Sequence, residues 1–167
     1  MLFRSLQGVA AMVGHRVSHV KAHGALSNMA AVEHDLARAI ARGIRAVDRE
    51  LIFVVMPMTE LEKAGSAEGL KLAREVFADR AYDDTGNLVS RKLPGAMLHD
   101  AGEAAERMLR MVSDGVIECA SGKRIKVDID TICVHGDNPA AVAMAGAVRG
   151  ALEQAGIPLR HLKDIVG

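Results

Sequence analysis

The chain contains no tryptophan, one tyrosine and three phenylalanines in 167 residues. Single-stranded nucleic acid is held by stacking aromatics, and duplexes by a surplus of basic charge. Twenty-one Lys and Arg balance twenty-one Asp and Glu here, so neither kind of partner is expected. Two cysteines, Cys119 and Cys133, cannot make a disulfide framework, and their spacing matches no zinc knuckle. A reducing cytoplasm is therefore the expected location. No run of about 18 apolar residues occurs, so no membrane span is expected. The apolar opening is interrupted by Arg4 and Gln7 and carries no convincing signal-cleavage site. There is no Walker loop, no dinucleotide fingerprint and no Gly-x-Ser-x-Gly elbow.

What is present is aliphatic. Half the residues are hydrophobic and nine are Met, so the interior must be built from Ala, Val, Leu, Ile and Met. A chain of this length can bury roughly 70% of its unfolded surface, and it reads as one domain over residues 1–167. Phe3, Leu6, Ala10 and Val13 have helical spacing, ended by Gly14. Arg16–Lys21 reads as a strand and Ala22–Ser27 as a loop. Leu36, Ile40, Ile44 and Val47 stripe a long helix. Leu51–Val55 is a continuous apolar run, the pattern of a strand covered on both faces. Thr59 and Glu62 have capping-box spacing, with Gly65 as the residue after the helix. Lys71–Phe77 is the next strand, followed by a long loop over residues 78–95, and such loops are often functional. Asp100 and Glu103 open a helix through Val112, and Ser121-Gly122-Lys123 turns a hairpin. Ile129–Val134 is a further strand, and Asn138-Pro139 starts a helix that runs to about Gln154. Alternating strands and helices give an α/β class with a mainly parallel sheet.

In such folds the ligand lies beyond the carboxyl ends of the strands. That rule selects Lys21 and His23 after the first strand, and Glu75, Asp79, Arg80 and Tyr82 at the third. It also selects His135 and Asp137 after the strand ending at Val134. The string His135-Gly136-Asp137-Asn138-Pro139 joins a buried strand to a helix N-terminus, where free N–H groups attract anions. Simpler roles stand beside each of these. His23 could bond a turn carbonyl, Glu75 could pair with Arg74 or Arg80, and Asp79-Arg80 could be a surface pair. Asp137 or Asn138 could be only the helix cap. His15, His34 and His161 read as surface residues, and His99 as help for the helix at Asp100. Cys133 reads as a small strand hydrophobe. From the residues alone the result is a rim site for a charged small molecule or a divalent metal.

Four strings occur in order: Lys21-Ala-His-Gly-Ala-Leu-Ser-Asn28, Glu75-Val-Phe-Ala-Asp-Arg-Ala-Tyr82, Pro94-Gly-Ala-Met-Leu-His-Asp100 and Thr131-Ile-Cys-Val-His-Gly-Asp-Asn-Pro139. From about Val17 to Ile157 the chain resembles the LamB/YcsF lactam-utilisation family, the A subunits of prokaryotic 5-oxoprolinase. The resemblance implies an irregular TIM-like barrel related to the glycoside hydrolase/deacetylase barrels. It implies ATP-dependent opening of 5-oxo-L-proline to L-glutamate, performed with the 5-oxoprolinase B and C subunits. Carried over by position, it points to Lys21, His23, Glu75, Asp79, His135 and Asp137 as catalytic groups. Arg80, Tyr82 and Asn138 then fall to substrate binding. Lys21, Glu75, Arg80, His23, His135 and Asp137 are expected at one mouth of the sheet.

The chain departs from the family at Ala22, where Pro is usual, at Ser27, where Tyr is usual, and at Ser90 and Leu93. The family's Asp-Leu-Asn-rich strand and its Cys-Gly-Phe-His-Ala-Gly-Asp-type segment do not occur. The expectation is a carboxyl-terminal portion of the barrel, amino-terminally truncated, with open strand edges that self-associate or bind a partner. Two rivals follow. One is a metal-dependent hydrolase or deacetylase-like enzyme with His23 and His135 as ligands of a divalent metal. The other is an inactive truncated barrel that keeps only partner-binding surface.

Overall fold

The computed structural model describes residues 2–136 and 139–166. It divides into two compact units, Met1–Ala73 with Val166–Gly167, and Arg74–Ile165. Both are built from helices and short strands, and the long-range strand pairs are parallel, so the expected α/β class holds.

In the first unit, helix α1 (Leu2–Met12) leads to strand β1 (His19–Lys21), short helix α2 (Ala25–Ala30) and helix α3 (His34–Val47). Strand β2 (Ile52–Val55) and helix α4 (Glu60–Ala67) follow. β1 and β2 run parallel, with His19 opposite Ile52 and Lys21 opposite Val54. All four residues of β2 are buried, as a strand without polar alternation requires. Phe53, Val55, Leu61, Ala64 and Leu70 form a core with Ala30, Ala37 and Ala41. Ala37 and Ala41 are one turn apart on α3, so small side chains bring that helix close to β2. The Thr59 side chain accepts the Glu62 N–H and donates to the Met56 carbonyl at 2.8 Å. Glu62 reaches back to the Met58 N–H at 2.7 Å, supporting a left-handed Met58 with φ of 66°.

Three expectations change here. The segment expected as loop to Ser27 already turns helical at Ala25. The strand expected from Arg16 begins only at His19. Gly65 does not end α4: it is buried inside the helix, where a Cβ would lie 2.6 Å from Leu72 and 3.0 Å from Phe53. The chain instead leaves the helix through Gly69, at φ of 67°. The apolar side of α1 stays exposed at Leu6, Val9 and Met12, as does Val13 just after it.

Strand β3 (Lys71–Phe77) opens the second unit's sheet, and helix α5 (Ala101–Asp114) follows the long loop. β4 (Val116–Glu118) and β5 (Arg124–Lys126) make the expected antiparallel hairpin. Strand β6 (Thr131–Cys133), shorter than expected, precedes helix α6 (Pro139–Gln154). β3 and β6 pair in parallel, Glu75 opposite Thr131 and Phe77 opposite Cys133. At their other end Asp130 accepts the Arg74 N–H at 2.8 Å and returns its own N–H to the Arg74 carbonyl. Asp100 caps α5 by accepting the Glu103 N–H at 2.8 Å, and Gly115 ends it with φ of 63°. α5 packs on α6, which buries Ala141, Met144, Val148 and Leu152. No helix among the described residues is long and apolar enough to cross a membrane.

Candidate active site

The register of two strands makes the site. Phe77 on β3 stands opposite Cys133 on β6, and the Ala78 N–H continues the ladder to the Cys133 carbonyl. Because the strands are parallel, the residues just beyond both ends emerge side by side. Asp79 and His135 are those residues, and Asp79 Oδ2 lies 2.7 Å from His135 Nδ1. The imidazole stacks on the Phe77 ring, centroids 5.6 Å apart and planes inclined by 20°. A carboxylate on one edge and a ring on one face fix the imidazole in place.

The remaining nitrogen faces Arg91, whose Nη2 lies 3.4 Å from His135 Nε2. A guanidinium only donates, so the network assigns the proton to Nδ1 and leaves the lone pair on Nε2. A cavity of about 100 Å³ adjoins this pair, lined by Asp79, Arg91, Met97, Leu98, His99, His135 and three residues of α6. Asp79 is 7% exposed, and its second oxygen, Oδ1, is buried without a hydrogen-bond partner among the described residues.

Arg80 points elsewhere. It is buried, and its Nη2 donates to the Val89 carbonyl at 2.7 Å, closing the long loop. Its Nε is buried without a partner among the described residues. Burial, and then the nearby Arg91 charge, push its pKa below the ordinary guanidinium value. Arg107 donates to the carbonyls of Arg80 and Glu118 at 2.9 and 3.2 Å and lies 5.5 Å from the Tyr82 ring centroid. The loop is thus clamped by two arginines acting on backbone oxygens.

The expectation that Tyr82 binds substrate is corrected by its burial. Tyr82 is fully inaccessible, and its hydroxyl accepts the Phe77 N–H at 2.8 Å. Burial pushes the phenol well above its ordinary pKa. The side chain secures the end of β3 and presents nothing to a ligand.

Of the other expected residues, Glu75 is buried on β3. It alternates with Phe77 on one face of the strand, and Phe77 carries the His135 ring. Lys21 ends β1 and is partly buried, while His23 is exposed beside Gly24. Both belong to the first unit. Asp137 and Asn138 lie outside the described residues. The structure therefore brings together Asp79 and His135 and adds Arg91 and His99, which sequence reasoning passed over. Loop length marked the region of Arg91, but nothing local distinguished that arginine. His99 neighbours the helix cap in sequence, yet the cap is Asp100 and His99 lines the cavity.

A divalent metal would need a third donor. Among the described residues no three His, Cys, Asp or Glu side chains gather closely enough to hold one. The pair resembles in function a base with its orienting carboxylate, able to take a proton from water or from a ligand.

Comparison with known proteins places these motifs. The sequence model of the LamB/YcsF family matches residues 3–167. A 5-oxoprolinase A subunit from Rhodopseudomonas palustris (strain BisB5) is 59% identical over 152 residues, 91% of this chain and 60% of that protein. The 5-oxoprolinase A subunit numbered 2 from Bradyrhizobium diazoefficiens is 55% identical over 159 residues, 95% of this chain and 62% of that protein. Among solved structures, a lactam utilization protein from Thermus thermophilus matches with a TM-score of 0.86 and 41% identity. That match covers 94% of this chain and 62% of the other. The chain thus spans about 60% of the length of the curated relatives it matches.

Proposed function

The chain belongs to the LamB/YcsF family, and on that premise we propose that it contributes the water-activating site for opening 5-oxo-L-proline to L-glutamate. The observation that carries this reading is the Asp79–His135 pair, 2.7 Å apart, in the wall of a small cavity. A lactam amide resists water at neutral pH, so the reaction needs a base held close to the attacking water. Asp79 keeps the proton of His135 on Nδ1, and Nε2 receives the proton that water loses as its oxygen bonds to the ring carbonyl carbon. The ring C–N bond then breaks and its nitrogen takes that proton from Nε2, leaving as the amine of glutamate. Phe77 and Asp79 prevent the imidazole from turning away. Arg91 places a positive charge beside the region where the substrate's negative charge gathers.

The reading includes ATP, consumed by an assembly with the 5-oxoprolinase B and C subunits in the cytoplasm. ATP is assigned to the assembly, and the proton transfer at His135 is derived without it. Lys21, His23 and Asp137 stay candidates on the family resemblance alone.

The test is glutamate release from 5-oxo-L-proline with ATP, using this chain coexpressed with the B and C subunits. The chain alone is expected to release none. In the assembly, His135→Ala should lower turnover by about 10²–10⁴-fold while the chain keeps its folded circular-dichroism spectrum. Unchanged turnover would remove His135 from the chemistry, and no glutamate from the unmutated assembly would remove the ring-opening reading.

A further inference from the structure

Two polar features of the cavity are left unused by a water-activating pair. Asp79 Oδ1 is an acceptor buried without a partner among the described residues, and a buried carboxylate oxygen calls for a donor. Arg91 is the reverse. Its guanidinium is exposed at the cavity wall, it has no carboxylate partner among the described residues, and its side-chain contact there is the long one to His135. Five donors in a planar fork match a carboxylate in two-point fashion. Arg80 is turned away to the Val89 carbonyl, so Arg91 supplies the guanidinium at the cavity wall.

The walls limit what that anion can be. Met97, Leu98, Ala141 and Met144 are apolar, suited to ring methylenes. The volume of about 100 Å³ is well below the roughly 300–1,000 Å³ of sites for drug-sized ligands. A small ring that carries one carboxylate and one N–H satisfies all of these demands.

We propose that Arg91 is the specificity-determining residue of this site: it binds the carboxylate of a small carboxylated lactam while Asp79 Oδ1 receives the ring N–H. This rests on the lactam-opening reading above and assigns how that ligand is chosen. Arg91 exchanges its weak contact with His135 for the carboxylate, which frees Nε2 for water. Ligand recognition and exposure of the base are then one event.

The test is direct binding to the full chain by calorimetry, with 5-oxo-L-proline and 2-pyrrolidinone, the same ring without the carboxylate. The unmutated chain should prefer 5-oxo-L-proline by about 10–100-fold, the range for a hydrogen bond to a charged group. Arg91→Gln should abolish that preference and weaken 2-pyrrolidinone less than about threefold, and Arg91→Lys should restore part of it. Asp79→Asn, which presents an N–H toward the ring N–H, should weaken both ligands. Failure of the unmutated chain to bind, equal binding of the two rings, or a preference that survives Arg91→Gln would overturn the assignment. The ring-opening reading is judged separately. Arg91-dependent binding with no glutamate from the assembly would sink that reading alone, whereas glutamate release with an indifferent Arg91 would sink only this one.

Discussion

Tyr82 offers an unusually clean probe of the framework that aims Asp79. It is the sole tyrosine of a chain without tryptophan, so phenolate absorbance reports this one side chain. Its hydroxyl accepts the Phe77 N–H at 2.8 Å, two residues before Asp79, and its pKa is raised above the ordinary 10 chiefly by burial. The folded state keeps the proton where the unfolded state gives it up. Stability from this source is therefore intact below pH 10 and is lost as pH rises above it. The decline is about 1.4 kcal/mol per pH unit, or about 2.7 kcal/mol by pH 12. Tyr82→Phe removes the oxygen that the Phe77 N–H donates to, which costs about 1–3 kcal/mol at neutral pH. It also removes the alkaline decline. Urea unfolding followed by circular dichroism should show Tyr82→Phe less stable at pH 7, with the gap to the unmutated chain closing between pH 10 and 12. Near-ultraviolet absorbance of the unmutated chain should stay flat through pH 10 and rise only with unfolding. A phenol that ionises near pH 10 while the helical signal persists, or a gap that does not change with pH, would refute the reasoning.

Two further outcomes concern the helix that backs the site. Asp100→Ala deletes the carboxylate that accepts the Glu103 N–H and should cost about 1 kcal/mol in urea unfolding; Asp100→Ser should recover most of it. Gly115→Ala forces an L side chain into the left-handed turn that ends the same helix, for about 1–2 kcal/mol. Gly115→Asn should cost less, because its short amide tolerates that conformation, and equal losses for the two variants would argue against backbone strain.

Much of this was legible from local pattern. The unbroken run Leu51–Val55 can only be covered on both faces, and Thr59 and Asp100 stand three residues before a glutamate whose N–H each cap accepts. Asp79 and His135 could be chosen because each follows a strand end, and a parallel register then carries them together. Where the sequence misled, a distant partner decided. Gly65 looks like a helix terminator until Phe53 and Leu72 arrive against it, and Gly69 takes that task four residues later. Tyr82 looks like a rim residue until its hydroxyl turns back to the Phe77 N–H. Arg107 belongs by charge to a solvated helix face, yet it is buried because the carbonyls of Arg80 and Glu118 need donors there. Arg91 carries no local signal, since its neighbour His135 is 44 residues away in the chain.

The central claim is that His135, held by Asp79 with its lone pair on Nε2, meets the lactam. Nitrogen-15 spectra of the histidines test it most directly. Of seven imidazoles, the one absent in His135→Gln should show a protonated Nδ1 and a bare Nε2 at neutral pH. Its Nε2 should shift on addition of 5-oxo-L-proline and stay put with 2-pyrrolidinone. A proton on Nε2, or a His135 signal that ignores 5-oxo-L-proline under conditions where the assembly releases glutamate, would contradict the account.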